Sequence, residues 1–280
     1  MMITFGPGGN SLSWGKRKFP QELPEYLKSF GLNGYEIECG RGVRISDETA
    51  KIFAVLTEQN GIYATLHTPY FISLSSVEEE KRLNSISYIL SSAKAAKLAG
   101  AKKIVVHSGS CSKMTRERAV ELASDTLKKA QETLDNNGLS DIIICPETMG
   151  KVNQLGTLEE VLTLCGVDER FLPTVDFGHL NARTLGGIKS RGDYAEIFDL
   201  IENKLGYDRL CNMHIHFSKI EYTNGGEKKH LTFSDEKYGP QFEPLMDEIF
   251  KRKLSPSIIC ESDGTQAEDA AVMKKYFELL

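Results

Sequence analysis

Residues 141–147 have the sequence DIIICPE, an almost unbroken apolar run that ends in a glutamate. Residues 102–107, KKIVVH, repeat the pattern and end in a histidine. Short runs rich in Val and Ile are typical of strands that are buried on both faces of a parallel sheet. Comparable apolar runs predict eight strands along the chain, at 3–5, 34–38, 62–67, 102–107, 141–147, 172–176, 210–216 and 256–261.

Helical patterns separate these runs. One follows Ser46-Asp-Glu-Thr, a typical N-terminal cap, and another ends at Gly100, a residue suited to the position after a helix. We predict helices at 22–30, 46–60, 77–99, 114–137, 157–165, 193–204, 241–252 and 267–279. This alternation predicts a (β/α)8 TIM barrel forming a single domain over 1–280, with a doubly wound open sheet as the alternative. The longest remaining stretch, 216–240, is expected to be an irregular functional loop.

The composition indicates a cytoplasmic protein of enzyme size. Its 34 basic and 39 acidic side chains give a net charge of −5, which excludes a broadly basic nucleic-acid coat but allows a local basic groove. No apolar run is long enough to predict a membrane span, and the first residues lack a signal-peptide pattern. Six cysteines without C-x-x-C spacing favour free thiols in a reducing compartment.

Histidines and carboxylates occur where the predicted strands end. In a TIM barrel these strand ends meet on one face, the face that carries active sites. Carboxylates gathered in a cleft repel one another unless a cation or protons compensate them. A mixed nitrogen and oxygen donor set suits zinc, manganese or iron. The residues at or near these strand ends are His67, His107, Glu147, Asp176, His179, His214, His216 and Glu261, and His230 follows in the long loop.

Several ordered segments between residues 60 and 265 resemble endonuclease IV, the zinc-dependent apurinic/apyrimidinic endonuclease family of the xylose-isomerase-like barrel superfamily. The segments are LHTPYFISL (66–74), VVHSG (105–109), PETMG (146–150), DFGHLNA (176–182), MHIHFSK (213–219) and ICES (259–262). The resemblance implies a monomeric hydrolase with two to three zinc ions, with Mn²⁺ or iron as alternatives. Its implied partner is damaged double-stranded DNA, cleaved 5′ to abasic sites in base excision repair.

The resemblance also implies the ligands of each metal. They are His67, His107 and Glu147 for the first metal; Glu147, Asp176, His214 and Glu261 for the second; and His179 and His230 for the third. Glu147 would be shared by two metals, and Glu147 and Glu261 are the implied catalytic residues. The family has an aspartate two residues before the loop histidine, where this chain has Lys228. Either Glu227 takes its place, or a loose site with two histidines remains.

Side chains that would contact DNA follow from the same resemblance. Tyr70 and Phe71 occupy the position where the family wedges side chains into the base stack, which suits a substrate that lacks one base. The basic residues expected to contact phosphates are Arg41, Lys219 and Lys229.

Two other functions use the same face of the barrel. A sugar isomerase or epimerase of the same superfamily would need one divalent metal, held by Glu147, Asp176, His214 and Glu261. A non-catalytic barrel that contains metal and binds nucleic acid or a partner is the third alternative. The further histidines favour the nuclease, because an isomerase needs none of them as ligands; they are His67, His107, His179 and His230.

Overall fold

The computed structural model describes residues 3–280. Its strands in this range are β1 (Thr4–Pro7), β2 (Gly34–Glu38), β3 (Tyr63–His67), β4 (Lys103–His107), β5 (Ile143–Glu147), β6 (Thr174–Asp176), β7 (His214–Phe217), β8 (Lys219–Thr223), β9 (Gly226–Leu231) and β10 (Ser257–Cys260). Eight of them form one parallel sheet in the order β1-β10-β7-β6-β5-β4-β3-β2. The remaining two, β8 and β9, pair as an antiparallel hairpin.

Helices connect the strands of the sheet. In the same range they are α1 (Leu23–Ser29), α2 (Asp47–Gln59), α3 (Glu79–Leu98), α4 (Arg116–Asn136), α5 (Leu158–Cys165), α6 (Phe177–Arg183), α7 (Arg191–Leu205), α8 (Tyr207–Cys211), α9 (Glu243–Arg252) and α10 (Gln266–Phe277). The predicted N-terminal cap is present at α2, where the Ser46 side chain accepts a hydrogen bond from the Thr49 N–H. Gly100 follows α3 with φ of 71°. Among the described residues, no helix is both long and apolar enough to cross a membrane.

Glycines bring the two edges of the sheet together. The Gly9 N–H donates to the Glu36 carbonyl at 3.0 Å, and Gly8 forms a parallel bridge with Glu36. A Cβ atom on Gly6 would lie 2.1 Å from the Gly34 carbonyl oxygen, so only glycine permits this approach of β1 to β2. The sheet therefore curves into a nearly closed barrel, which confirms the predicted fold class.

Three details of the predicted organisation were wrong. Residues 210–211 belong to α8 and not to a strand, and β7 begins only at His214. Leu210 is apolar because its side chain is buried on the inner side of this helix. Residues 216–240 are not irregular, since they contain the β8–β9 hairpin. Helix α6 was not predicted; it begins directly after β6, where the Asp176 side chain accepts a hydrogen bond from the His179 N–H.

Candidate metal centre

The carboxyl ends of the barrel strands surround a cleft of about 840 Å³. Most of the residues predicted to bind metal line it: His67, His107, Glu147, His179, Glu227, His230 and Glu261. Their donor atoms, with those of neighbouring buried side chains, form several compact groups in which all donors lie within 4.8 Å of one another. All six histidines of the chain belong to these groups.

The first group consists of His67, His107 and Glu147. His67 Nδ1 lies 2.7 Å from the Thr68 carbonyl and donates to it, which leaves Nε2 free to bind a metal. Glu147 Oε2 lies 2.9 Å from His107 Nε2 and 3.5 Å from His67 Nε2. This oxygen is nevertheless buried without a hydrogen-bond partner among the described residues. Donor atoms that face one another without hydrogen bonding fit the shell of a shared cation.

The second group consists of Glu147, Asp176, His216 and Glu261. His216 Nδ1 lies 2.9 Å from Glu147 Oε1 and 3.5 Å from Glu261 Oε1. Asp176 Oδ2 is a second buried oxygen that lacks a hydrogen-bond partner within residues 3–280. Because Glu147 presents Oε2 to the first group and Oε1 to the second, its carboxylate can serve both.

The structure places His216 in this group and not His214. Both side chains point into the barrel from β7, but His216 pairs with Asp176 in the sheet, whereas His214 pairs with Thr174. Two residues along a strand correspond to about 6.6 Å, so His214 lies one layer deeper. Its Nε2 atom lies 2.9 Å from Glu36 Oε2. The structure therefore brings His216, and not the predicted His214, to the donors of the second group, and the identity of the histidine that binds this metal stays a prediction.

The third group consists of His179, Glu227 and His230. His179 Nδ1 lies 2.9 Å from the Thr148 carbonyl, and its Nε2 lies 3.5 Å from Glu227 Oε2. Two residues spaced by three would face opposite sides of a regular strand. Here the pairing of β8 with β9 shifts between Glu221 and Tyr222, which leaves Lys228 as an extra residue in a β-bulge. The bulge puts Glu227 and His230 on one face.

Lys228 lies on the opposite face of the hairpin, where its ammonium contacts Glu221 Oε1 at 2.6 Å. It therefore does not approach the third group and would not repel a metal held there. Of the two alternatives drawn from the sequence, the structure places Glu227 beside the two histidines.

The carboxylates of the second group differ in proton affinity. Burial alone would raise the pKa of Glu147, but the imidazoles of His216 and His107 hold that pKa well below its usual range. Burial, together with the Glu147 and Asp176 carboxylates, raises the pKa of Glu261 to about 8, although His216 opposes this shift. The ionised form of Glu261 is therefore disfavoured by burial and by the neighbouring carboxylates. A bound cation would stabilise that ionised form.

The two aromatic residues predicted to wedge into DNA have different surroundings. Tyr70 lines the cleft, and its ring stacks on His107 at a centroid distance of 5.4 Å. Phe71 is 51% exposed, but its ring packs against Tyr88 and does not line the cleft. Only Tyr70 is therefore next to the metal-ligand groups.

The three basic residues predicted to contact DNA also differ. Arg41 is exposed and lines the cleft. The Lys219 ammonium is buried, donates to the carbonyls of Phe233 and Asp235 and does not line the cleft, and its contact with DNA stays a prediction. The Lys229 ammonium lies 4.0 Å from Glu221, outside the cleft, and its contact with DNA stays a prediction.

Comparison with known proteins assigns the chain to a family. Residues 24–277 match the family described as xylose isomerase-like TIM barrel. An uncharacterized protein of Methanocaldococcus jannaschii is 31% identical over 279 residues, which cover 100% of this chain and 98% of that protein. The chain belongs to the xylose isomerase-like TIM barrel family. A probable endonuclease 4 of Mycoplasma genitalium is 31% identical over 214 residues, or 74% of this chain and 68% of that protein.

Two solved structures of this barrel type carry different names. Endonuclease IV from Thermus thermophilus superposes with a TM-score of 0.72 and 20% identity, covering 99% of this chain and 100% of that one. A D-tagatose 3-epimerase-like protein superposes with a TM-score of 0.75 and 19% identity, covering 99% and 98%. At these identities the likeness shows the xylose isomerase-like fold alone.

Three polar residues close to the candidate metal centre were not predicted from the sequence. Glu36 and Glu38 belong to groups of donors that share Glu261 or His216, and Lys151 lines the cleft. The signal for the two glutamates was present in GYEIE (34–38), because alternate residues of a strand share a face and both glutamates therefore point into the barrel. The position of Lys151 depends on the path of a loop, which strand patterns do not describe.

Gly150 packs against the side chains of the third group, and only its missing side chain allows this close contact. A Cβ atom at this position would lie 2.6 Å from Glu227 Cβ and 2.9 Å from His179 Cδ2. We expect Gly150→Ala to push the hairpin away, to weaken one metal site by about tenfold or more, and to cost about 1–3 kcal/mol in stability. Zinc titration and thermal unfolding measure both effects. Gly225→Ala is the matched control, since its Cβ would contact only Thr223 Oγ1 at 3.7 Å; equal losses in the two variants would contradict this role.

Proposed function

We propose that this protein is a metal-dependent phosphodiesterase that cleaves DNA on the 5′ side of abasic sites, as in base excision repair. One observation carries the proposal: three groups of metal ligands meet in a single cleft, and the group of His179, Glu227 and His230 lies beside the two that share Glu147. A centre with several metals suits the displacement at a phosphodiester, because both the attacking and the leaving oxygen need stabilisation. The relatives named probable endonuclease 4 support this choice.

Zinc fits the donor set, and two to three ions per chain would occupy these groups. When bound, the ions would supply an activated water and positive charge for the phosphate oxygens. Glu147 would join two metal sites through its two oxygens, and Glu261 would orient a water molecule from the end of β10. His67 and His179 keep their ligand nitrogens free by donating Nδ1–H to backbone carbonyls.

Three cations on the cleft wall favour a substrate that carries phosphates. Arg41, Arg44 and Lys151 line the cleft, and none of them has an ion-pair partner among the described residues. Other arginines of the chain are engaged, for example Arg116 with Glu160 at 2.5 Å. Unpaired cations beside an acidic floor suit a polyanion whose scissile phosphate meets metal ions while its flanking phosphates meet the wall.

Cleavage of a defined duplex tests the proposal. The zinc-loaded protein should nick an oligonucleotide duplex at a single abasic site, leaving a 3′-hydroxyl and a 5′ deoxyribose phosphate, and should spare the intact duplex. The metal content, measured by elemental analysis, should be two to three ions per chain. Failure to nick the abasic strand at full metal content would overturn the proposal.

A sugar epimerase is the second candidate. Glu147, Asp176, His216 and Glu261 alone form a complete site for one divalent metal, and the barrel resembles that of the D-tagatose 3-epimerase-like protein. In that case one metal per chain would suffice, and ketohexoses would be epimerised. The third group and the unpaired cations would then have no role, which is why we favour the nuclease.

Binding of an abasic duplex should weaken as salt rises. Each phosphate contact of a lysine or arginine contributes roughly 0.9 to the slope of log K against log salt, so Arg41→Ala and Lys151→Ala should each make the slope shallower by about that amount. Fluorescence anisotropy with catalytically inactive protein measures the slope. Lys102→Ala is the control, since this exposed residue precedes β4 at the opposite end of the barrel. Slopes unchanged in the two cleft variants would show that these cations do not contact DNA.

A further inference from the structure

A buried polar network lies beneath the second group of metal ligands. The Lys103 ammonium donates to Ser257 Oγ at 3.0 Å, and Ser257 Oγ lies 2.7 Å from His214 Nδ1. On its other side, His214 Nε2 lies 2.9 Å from Glu36 Oε2. Glu36, His214 and His216 are completely buried. The network therefore connects the interior of the barrel to a ligand of the metal centre.

The chemistry of the donors fixes the positions of the protons along this network. An ammonium only donates, so Ser257 accepts from Lys103. The Glu36 carboxylate only accepts and requires the ring proton on His214 Nε2, so Nδ1 of the neutral ring accepts the Ser257 hydroxyl hydrogen. The proton of His214 then lies on Nε2 and points to Glu36, which also accepts from the Thr65 hydroxyl at 2.7 Å. Glu36 is thereby held in one orientation by donors on the same oxygen, Oε2.

The other oxygen of Glu36 faces the metal ligand. Glu36 Oε1 lies 2.8 Å from His216 Nε2 outside hydrogen-bond geometry, and this buried oxygen has no hydrogen-bond partner among the described residues. An ionised carboxylate has only acceptors, so the facing nitrogen carries the ring proton in the metal-binding state. The lone pair of His216 then lies on Nδ1, which is 2.9 Å from Glu147 Oε1 and thus within the second group. Carboxylates that accept the remaining N–H of a ligating histidine fix its tautomer and raise its basicity.

We propose that Glu36 is the positioning residue that makes His216 a metal ligand through Nδ1, and that His214 supports Glu36 and does not bind metal. The proposal rests on the metal centre of the proposed function, but it does not depend on DNA as the substrate. It assigns separate roles to the two histidines of the HIH segment, residues 214–216, one as a support and one as a ligand.

The full chain, labelled with ¹⁵N-histidine and loaded with zinc alone, tests the proposal without any variant. The ring signals of His216, assigned by correlation with its backbone resonances in a ¹³C,¹⁵N-labelled sample, should show zinc on Nδ1 and a proton on Nε2. Zinc on Nε2 would overturn the proposal, and so would a wild-type chain that binds no zinc. This measurement decides the matter even if substitutions in the network impair folding.

Substitutions extend the test. Glu36→Gln keeps the shape but can present its amide N–H₂ to His216 Nε2, which favours a proton on Nδ1; zinc affinity at one site should fall about 10- to 100-fold. His214→Gln should weaken that site less than His216→Gln does. Unchanged zinc binding in Glu36→Gln, or equal losses from His214→Gln and His216→Gln, would refute the assignment. Zinc binding without cleavage of abasic DNA would instead refute the proposed function alone.

Discussion

Alanine in place of Glu147 is expected to abolish cleavage of the abasic strand while the barrel stays folded. The carboxylate presents Oε2 to His67 and His107 and Oε1 to His216, so its removal takes a negative ligand from two groups at once. Losing a shared ligand should raise the barrier by about 4 kcal/mol, which corresponds to roughly a 1000-fold lower rate. Single-turnover cleavage at saturating zinc measures the rate.

The control for this variant removes a glutamate elsewhere. Glu159 is exposed on α5, and Glu159→Ala should cleave at the wild-type rate. Elemental analysis should find fewer metal ions in Glu147→Ala, and circular dichroism should find the wild-type secondary structure. Near-normal turnover with full metal content would show that Glu147 does not have this role.

The barrel could be predicted from the sequence because its strands are buried on both faces. Apolar runs such as KKIVVH have no solvent face, so they differ from the surrounding amphipathic helices in both length and pattern. The β8–β9 hairpin could not be predicted in this way. Its residues are largely polar and partly exposed, and Lys228-Lys229 resembles a solvated loop. What orders this segment is its pairing and its contact with Gly150, which are tertiary features.

For the candidate site, the sequence likewise predicted the general position but not every individual ligand. That histidines and carboxylates meet at one end of the barrel follows from the ends of the predicted strands. The distinction between His214 and His216 does not, because alternate residues of a strand share a face and differ only in depth. Depth depends on the stagger of neighbouring strands, which sets His216 level with Asp176. Motif spacing aligned His214 with the family ligand, whereas the register of the sheet favours His216.

Replacing the carboxylate of the third group is expected to have the second large effect on metal content and cleavage. Glu227→Gln should remove about one metal ion per chain and slow cleavage roughly 10- to 100-fold, because an amide oxygen lacks the charge that a dication requires. The matched control is Glu221→Gln on the same hairpin, whose carboxylate faces away from the cleft and contacts Lys228. Metal analysis and single-turnover cleavage of both variants compare the two faces directly. Full metal content and wild-type cleavage in Glu227→Gln would show that the Glu227 carboxylate does not hold the third metal.

Deleting Lys228 tests why a glutamate three residues before His230 can act as a ligand. In the bulged strand, the extra residue returns Glu227 to the face of His230. Without Lys228, Glu227 would stand two residues before His230, and a regular strand would place both side chains on that face. We therefore expect the deletion to keep the third metal. Gly insertion after Lys228, with the bulge retained, should lose it, because three regular steps would then separate Glu227 from His230 and turn Glu227 to the other face. Loss of the metal in both variants would show that the bulge itself is required, because the hairpin must also maintain its contact with Gly150.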